Sequence, residues 1–294
     1  GVSYYKNLLF EGRYYNRNNN YLIEFYNGLS MFGSRSFNFG KDLFKNHTIK
    51  YGLNYLDRQV AYEPDSLDVF PPPESGEEGS ISLLYNYLGR RPHQQNLFAP
   101  PHGHGFQISM NLIDQKIWGD FTYTHINVDG FINKKVGPLI VYTRGRYEAV
   151  WGGNIPLQET VGLVDIPNEY IFGQLVLGKE HMNPRGWTGV QLGDRAFFGT
   201  VELRTPSLNF NFFEIAKIVK YGRLSGAFIS DFGKVWGGND ENWVTTTGAE
   251  IRFSLLVGDV PFFIYGFGWA QTPEDWVNGI GPKPYFRMSL ISPF

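Results

Sequence analysis

The chain has 294 residues, a formal net charge of −2 and no cysteine. Disulfide and thiolate chemistry are therefore excluded, and there is no electrostatic case for nucleic acid. Mean hydropathy is −0.27, too polar for a bundle of membrane helices, although aromatics make up 17% and glycines number 35.

No apolar run reaches the roughly 18 residues that a membrane helix needs. The nearest, 254–270, is broken by Asp259 and Pro261. A hydropathy near zero with many aromatics and glycines suits a transmembrane β-barrel, in which lipid-facing apolar residues alternate with polar lumen residues. A soluble all-β protein could share the composition. The N-terminus shows no basic region followed by an apolar core, so the sequence reads as a mature or a trimmed form.

In chain order, alternating or strongly aromatic segments cover 3–15, 20–31 and 48–62. A Pro-, Glu- and Ser-rich loop follows at 63–79. The fourth strand, 80–88, puts Ile81, Leu83, Tyr85 and Tyr87 on one face. After a patternless connection at 91–104, the strand 105–113 sets Phe106, Ile108, Met110 and Leu112 against Gln107, Ser109 and Asn111. Strands 120–128 and 139–151 come next, then a long glycine-rich loop at 152–193. Segments 194–205, 223–232, 243–256, 260–270 and 284–294 complete twelve strands, within a range of ten to sixteen. A short helix is expected at 212–219 (FFEIAKIV).

The polar faces carry charge in pairs: Glu202 with Arg204, Glu250 with Arg252, and Arg144 and Arg146 with Glu148. In a sandwich these would face water. In a membrane barrel they must face the lumen, because charge facing lipid at mid-depth costs about 2–4 kcal/mol. The final residue decides for the barrel. Phe294 closes a strand whose alternate positions are Phe286, Met288 and Leu290, a terminal pattern common in outer-membrane barrels and read here as the assembly signal. Within the long loop, Arg185 is followed by Gly186 and Trp187: a five-donor cation beside a flexible hinge and a large ring, suited to docking on carboxylates.

Three motifs then resemble one family, in its order. Pro184-Arg185-Gly186-Trp187 resembles the Val/Ile-Arg-Gly-Phe/Tyr tip of a loop that folds back into a barrel. GDRAFFGTVELRTPSL (193–208) resembles the next strand, with its glutamate and closing proline. SGAFISDFGKVWG (225–237) resembles the strand after that, with its Asp-x-Gly-x-Val-Trp. The family is the bacterial surface antigen superfamily of outer-membrane assembly and translocation barrels, typified by BamA, TamA and FhaC, and the match covers about 139–294. The chain departs from it at Pro184, Trp187 and Pro293, and in having about twelve strands where the family has sixteen.

The resemblance implies an outer-membrane β-barrel with the long loop in the lumen, read here as a single domain over 1–294; in a further departure from the family, no POTRA module is seen in the sequence. Arg185 would reach the lumen carboxylates at the matching positions, Glu202 and Asp231, locking the loop. Alternation agrees independently, since Glu202 lies opposite Val201 and Leu203. The implied function is assembly, insertion or translocation of proteins at a Gram-negative outer membrane, with lipid, client proteins and other outer-membrane or periplasmic subunits as partners. Alternatives are a passive channel or structural barrel, or a scaffold for an enzyme domain on another segment. No catalytic residue, cofactor or metal is assigned: His102-Gly103-His104 lacks a third ligand, and Asp65, Asp68, Glu74, Glu77 and Glu78 lack the spacing of a calcium loop. Counting back from Phe294, both termini are expected on the periplasmic side, with the loops at 63–79 and 152–193 on the outer side. Pro284 and Pro293 lack an N–H, so a short, weak pairing of first and last strands is expected.

Overall fold

The structure, a computed structural model, describes residues 1–14, 21–39, 45–60, 74–89, 101–156, 159–164, 182, 184–215, 219–238, 240–257 and 260–290. One antiparallel sheet dominates it. Its path runs through β1 (Val2–Tyr14), β2 (Tyr21–Phe37), β3 (Lys45–Val60), β4 (Gly76–Gly89), β5 (His102–Ile113), β6 (Thr122–Val136) and β7 (Leu139–Asn154). Within the connection after β7 lie β8 (Val161–Val164) and β9 (Val190–Gly193), which pair with each other, while Leu163 of β8 also bridges Met182 in parallel. The main path resumes with β10 (Arg195–Arg204), passes β11 (Leu208–Ile215), and continues through β12 (Val219–Trp236), β13 (Val244–Val257), β14 (Val260–Gln271) and β15 (Lys283–Leu290).

The expected helix at 212–219 is a correction. Its first residues belong to β11, which pairs with the start of β12. The segment LNFNFFEI alternates and is rich in phenylalanine, and the open edge of β12 rewards that pattern more than a helix would. β11 continues the lane of β10 along the same edge, with Pro206 at the break and the register shifted by one residue. The sheet is therefore twelve lanes wide.

His102 and His104 are a second correction. They lie in β5, paired with β6, where the sequence suggests a patternless connection. Strands also extend beyond the alternating segments: β2 reaches Phe37 and β4 starts at Gly76. A short helix not anticipated, α1 (Pro273–Val277), follows β14. Thr272 caps it by accepting from the Asp275 amide, with proline and two acids in the first turn.

No ladder joins β1 to β15 among the described residues, where a short one was expected. β15 pairs along its whole length with β14 on its other edge. Because directions alternate, the strand ends flanking 61–73 and 155–189 lie on one side of the sheet. Those flanking 38–44 and 90–101 lie on the other, with Val2 and Leu290.

The two faces invert the usual protein. One carries exposed Leu53, Ile81, Leu83, Ile108, Leu203, Phe228 and Trp269. The buried set on the other includes Arg58, Glu78, Thr200, Glu202, Asp231, Glu250 and Arg252. Alternation within single strands produces this: in β10, Thr200 and Glu202 are buried while Val201 and Leu203 are exposed. The apolar core is also on the inner side. Val161 and Leu163 of β8, with Met182, pack in one cluster with Ile113, Phe121 and Tyr123 from one wall and Ala196, Val235 and Val244 from another. The described parts of the long connection thus pack on the inner side of the sheet, and a Cβ at Gly233 would fall 2.8 Å from Leu163.

Candidate functional site

The long connection turns at 184–187. The Trp187 amide donates to the Pro184 carbonyl at 3.2 Å, and Gly186 has φ +74°. Only glycine suits that turn: besides the left-handed backbone, a Cβ would meet the Ala270 carbonyl oxygen at 2.5 Å. The tip therefore presses against the backbone of β14, and Trp187 packs on the inner apolar cluster.

This turn aims Arg185 at the inner faces of β10 and β12. Its Nε donates to Asp231 Oδ2 at 2.7 Å and its Nη2 to Asp231 Oδ1 at 2.5 Å, a two-pronged grip on one carboxylate. Nη1 donates to Glu202 Oε1 at 2.7 Å and Nη2 to Thr200 Oγ1 at 2.6 Å. The Arg185 backbone amide also donates to Asp231 Oδ2, at 3.0 Å. Thr200 and Asp231 are paired across β10 and β12, and Glu202 is two residues along on the same face. One guanidinium can therefore span them. The Asp231 side chain is 0% exposed and that of Glu202 2%.

The cluster extends further. Glu202 also accepts from Arg204 Nε and Arg252 Nη2, each at 2.6 Å. Glu250 accepts from Arg252 Nε, from Arg287 Nη2 at 2.6 Å and from the Tyr285 hydroxyl at 2.9 Å, and lies 3.7 Å from Arg185 Nη1. The Arg204 guanidinium stacks 3.6 Å over the Tyr142 ring. Four guanidinium groups thus meet three carboxylates on the walls of β10, β12, β13 and β15. Every carboxylate oxygen is turned to a donor, so the chemistry on offer is charge-assisted fastening of the turn.

A second polar knot sits where the connection leaves β7. Arg58 Nη2 on β3 donates to Glu159 at 2.8 Å and lies 3.1 Å from Glu78 on β4. The Tyr123 hydroxyl on β6 donates to Glu78 at 2.9 Å. His125 Nε2 is 2.7 Å from Glu148, and its Nδ1 is 4.0 Å from Glu159. At the same end of the sheet Gln191 of β9 donates to Asp240 at 3.0 Å. The Asp240 carboxyl is held below its ordinary pKa by the Asn242 amide and then by Gln191.

The structure brings Arg185, Gly186, Trp187, Glu202 and Asp231 to one place. Sequence reasoning did not join Thr200, Arg204, Glu250, Arg252, Tyr285 and Arg287 to them. The two-residue spacings Glu202/Arg204, Glu250/Arg252 and Tyr285/Arg287 were the available signal, since each pair shares a strand face. Nothing in the sequence signals Arg58–Glu159, 101 residues apart. Phe286 faces outward, 4.8 Å from the Phe267 ring centroid. Met288 and Leu290 lie opposite Tyr265 and Phe263 in the ladder, while Phe294 lies outside the described residues. Of the acids at 63–79, Glu78 turns inward to Arg58, and Asp65 and Asp68 lie outside the described residues.

A twelve-lane antiparallel sheet, apolar outside, ion-paired inside and occupied by one long connection, defines the architecture of a transmembrane-type β-barrel. Among solved structures the chain is similar to the crystal structure of BamA from Haemophilus ducreyi lacking POTRA domains 1-3, with a TM-score of 0.58 at 11% identity. The likeness covers 96% of this chain and 57% of that one, so the chain spans little more than half the length of its structural relative. No protein-family model matches the sequence, and no curated protein matches it.

Proposed function

We propose that the chain is an outer-membrane β-barrel that assembles, inserts or translocates other proteins, alone or as the barrel part of a larger assembly. The observation that carries this reading is the docked turn: a loop between β7 and β10 folded to the inner face and fastened through Arg185 to Glu202 and Asp231. The BamA-type fold supports it. The apolar outer face is the lipid contact, since an exposed apolar surface of that extent marks a membrane or a partner. In this reading both termini are on the periplasmic side, and the strand ends that flank 61–73 and 155–189 are on the opposite, outer side of the membrane. The whole chain forms one barrel domain, and no catalytic role is assigned to it. Its protein partners are nascent outer-membrane or exported chains and periplasmic subunits.

A passive channel is the weaker reading, because Val161, Leu163 and the Arg185 knot occupy the inner side. The test is affinity capture of the full chain from native membranes with chemical cross-linking, alongside conductance in planar bilayers. Enrichment of unfolded barrel precursors or periplasmic chaperones with low conductance is expected. A chain that captures neither and conducts steadily as an open pore would overturn the proposal.

A further inference from the structure

Arg185 fastens only one end of the long connection. We propose that a second fastener, Glu159 held by Arg58, pins the base of this connection to another wall, and that it governs whether β8 stays inside. This rests on the reading of the connection as a loop within a barrel.

The two fasteners grip distant lanes: β3, carrying Arg58, is third in the sheet order, and β12, carrying Asp231, is ninth. They are separated along the connection by most of its length. Glu159 is buried, and a turn in which its amide donates to the Pro156 carbonyl at 2.9 Å presents it. Two residues later Val161 enters the inner apolar cluster. Arg58 lies between two buried carboxylates, Glu159 and Glu78, with the Tyr123 hydroxyl on Glu78 and His125 near Glu159. Removing Arg58 takes the cation from between the buried carboxylates of Glu159 and Glu78. Removing one partner of such a buried pair is strongly destabilising, and here the relief available is for the base of the loop to swing away. Among the described residues Arg185 makes no polar contact with this knot, so its loss frees the tip and leaves the base in place.

The cysteine-free chain allows a direct test. Val161→Cys is introduced into the full chain, refolded in vesicles, and its reaction with a membrane-impermeant maleimide is timed. Labelling of a buried site follows the population of the opened form when closing is fast. Arg58→Ala and Glu159→Ala should each accelerate labelling at least about tenfold, while Arg185→Ala should change it by less than about twofold. Heat-modifiable migration on gels selects folded material. Should Arg58→Ala fail to fold, Glu159→Gln, which keeps side-chain volume, should accelerate labelling in the same direction by a smaller factor. Folded variants at Arg58 and Glu159 that label at the parent rate would overturn the proposal, as would Arg185→Ala alone giving the same acceleration. Rapid labelling of the parent Val161→Cys chain would instead overturn the loop-in-barrel reading itself, and the fastener with it.

Discussion

Replacing Arg185 by alanine should damage one carboxylate far more than the others. Glu202 keeps Arg204 and Arg252, and Glu250 keeps Arg252, Arg287 and Tyr285. Asp231 is different: among the described residues every hydrogen bond to it comes from Arg185, two from the guanidinium and one from the backbone amide. The alanine variant retains only the amide, leaving a fully buried charge with one weak donor. Breaking a buried pair in this way costs about 3–5 kcal/mol. The surviving amide bond argues for the lower end. Unfolding free energy should therefore fall by about 3 kcal/mol in Arg185→Ala, read from urea titrations in lipid vesicles followed by tryptophan fluorescence. The decisive variant is Arg185→Ala with Asp231→Asn. Neutralising the orphaned carboxylate should recover about 1 kcal/mol or more relative to Arg185→Ala alone, a coupling that independent sites do not show. Arg185→Lys should lie between parent and alanine, because one ammonium cannot grip Asp231 with two prongs and reach Glu202 as well. An Arg185→Ala chain within about 0.5 kcal/mol of the parent would refute the reasoning, as would an Asp231→Asn change that adds its own loss on top.

Gly186→Ala should cost about 1–3 kcal/mol, since the turn needs a left-handed residue and the added carbon meets the Ala270 carbonyl; hydrogen exchange localised to 184–190 would report the displaced turn, and parent-like exchange would refute the fit. Tyr285→Phe removes one hydrogen bond to Glu250, which retains two guanidinium partners, so a loss of about 1 kcal/mol is expected in the same urea assay. Phe228→Arg, at a side chain 71% exposed on the apolar face, should lower stability in vesicles by about 2–4 kcal/mol if that face meets lipid; a gain in solubility without any loss in vesicles would refute the lipid assignment.

Much of this molecule is legible in strand alternation because period two is a local property. The residues of 105–113 announce which face is apolar before any partner strand is known, and β5 forms there with Phe106 and Ile108 exposed. Arg185, Glu202 and Asp231 are legible by motif and by face, and the ladder pairing Thr200 with Asp231 places Glu202 and Asp231 on neighbouring lanes. What escaped was of two kinds. Segment 208–215 escaped because its apolar run admits either period, and only the vacant edge of β12 selects the strand. Arg58 and Glu159 escaped because their meeting depends on where a long connection folds back, which no local pattern encodes.

The outer and inner faces place different demands on the chain, and this accounts for a fold likeness at 11% identity with no family model matching. An outward position such as Leu83, Ile108, Val201 or Ile251 is required only to be apolar and to tolerate extended backbone, so many side chains serve equally. Ladder hydrogen bonds use backbone groups and add no demand on residue type. Strict chemical requirements fall on a few inward positions. A two-pronged grip needs an arginine, its partner must be a carboxylate at the right lane, and the turn that delivers it must have glycine at Gly186. Those positions are few and scattered between residues 58 and 287, each embedded in neighbours free to vary within a class. A search that weighs whole segments averages them away, whereas a comparison of backbones recovers the lanes. The chemistry of this chain is therefore to be sought in its sparse inner-face charges, and variants there should separate the proposed assembly activity from mere barrel stability where outer-face variants would change only the latter.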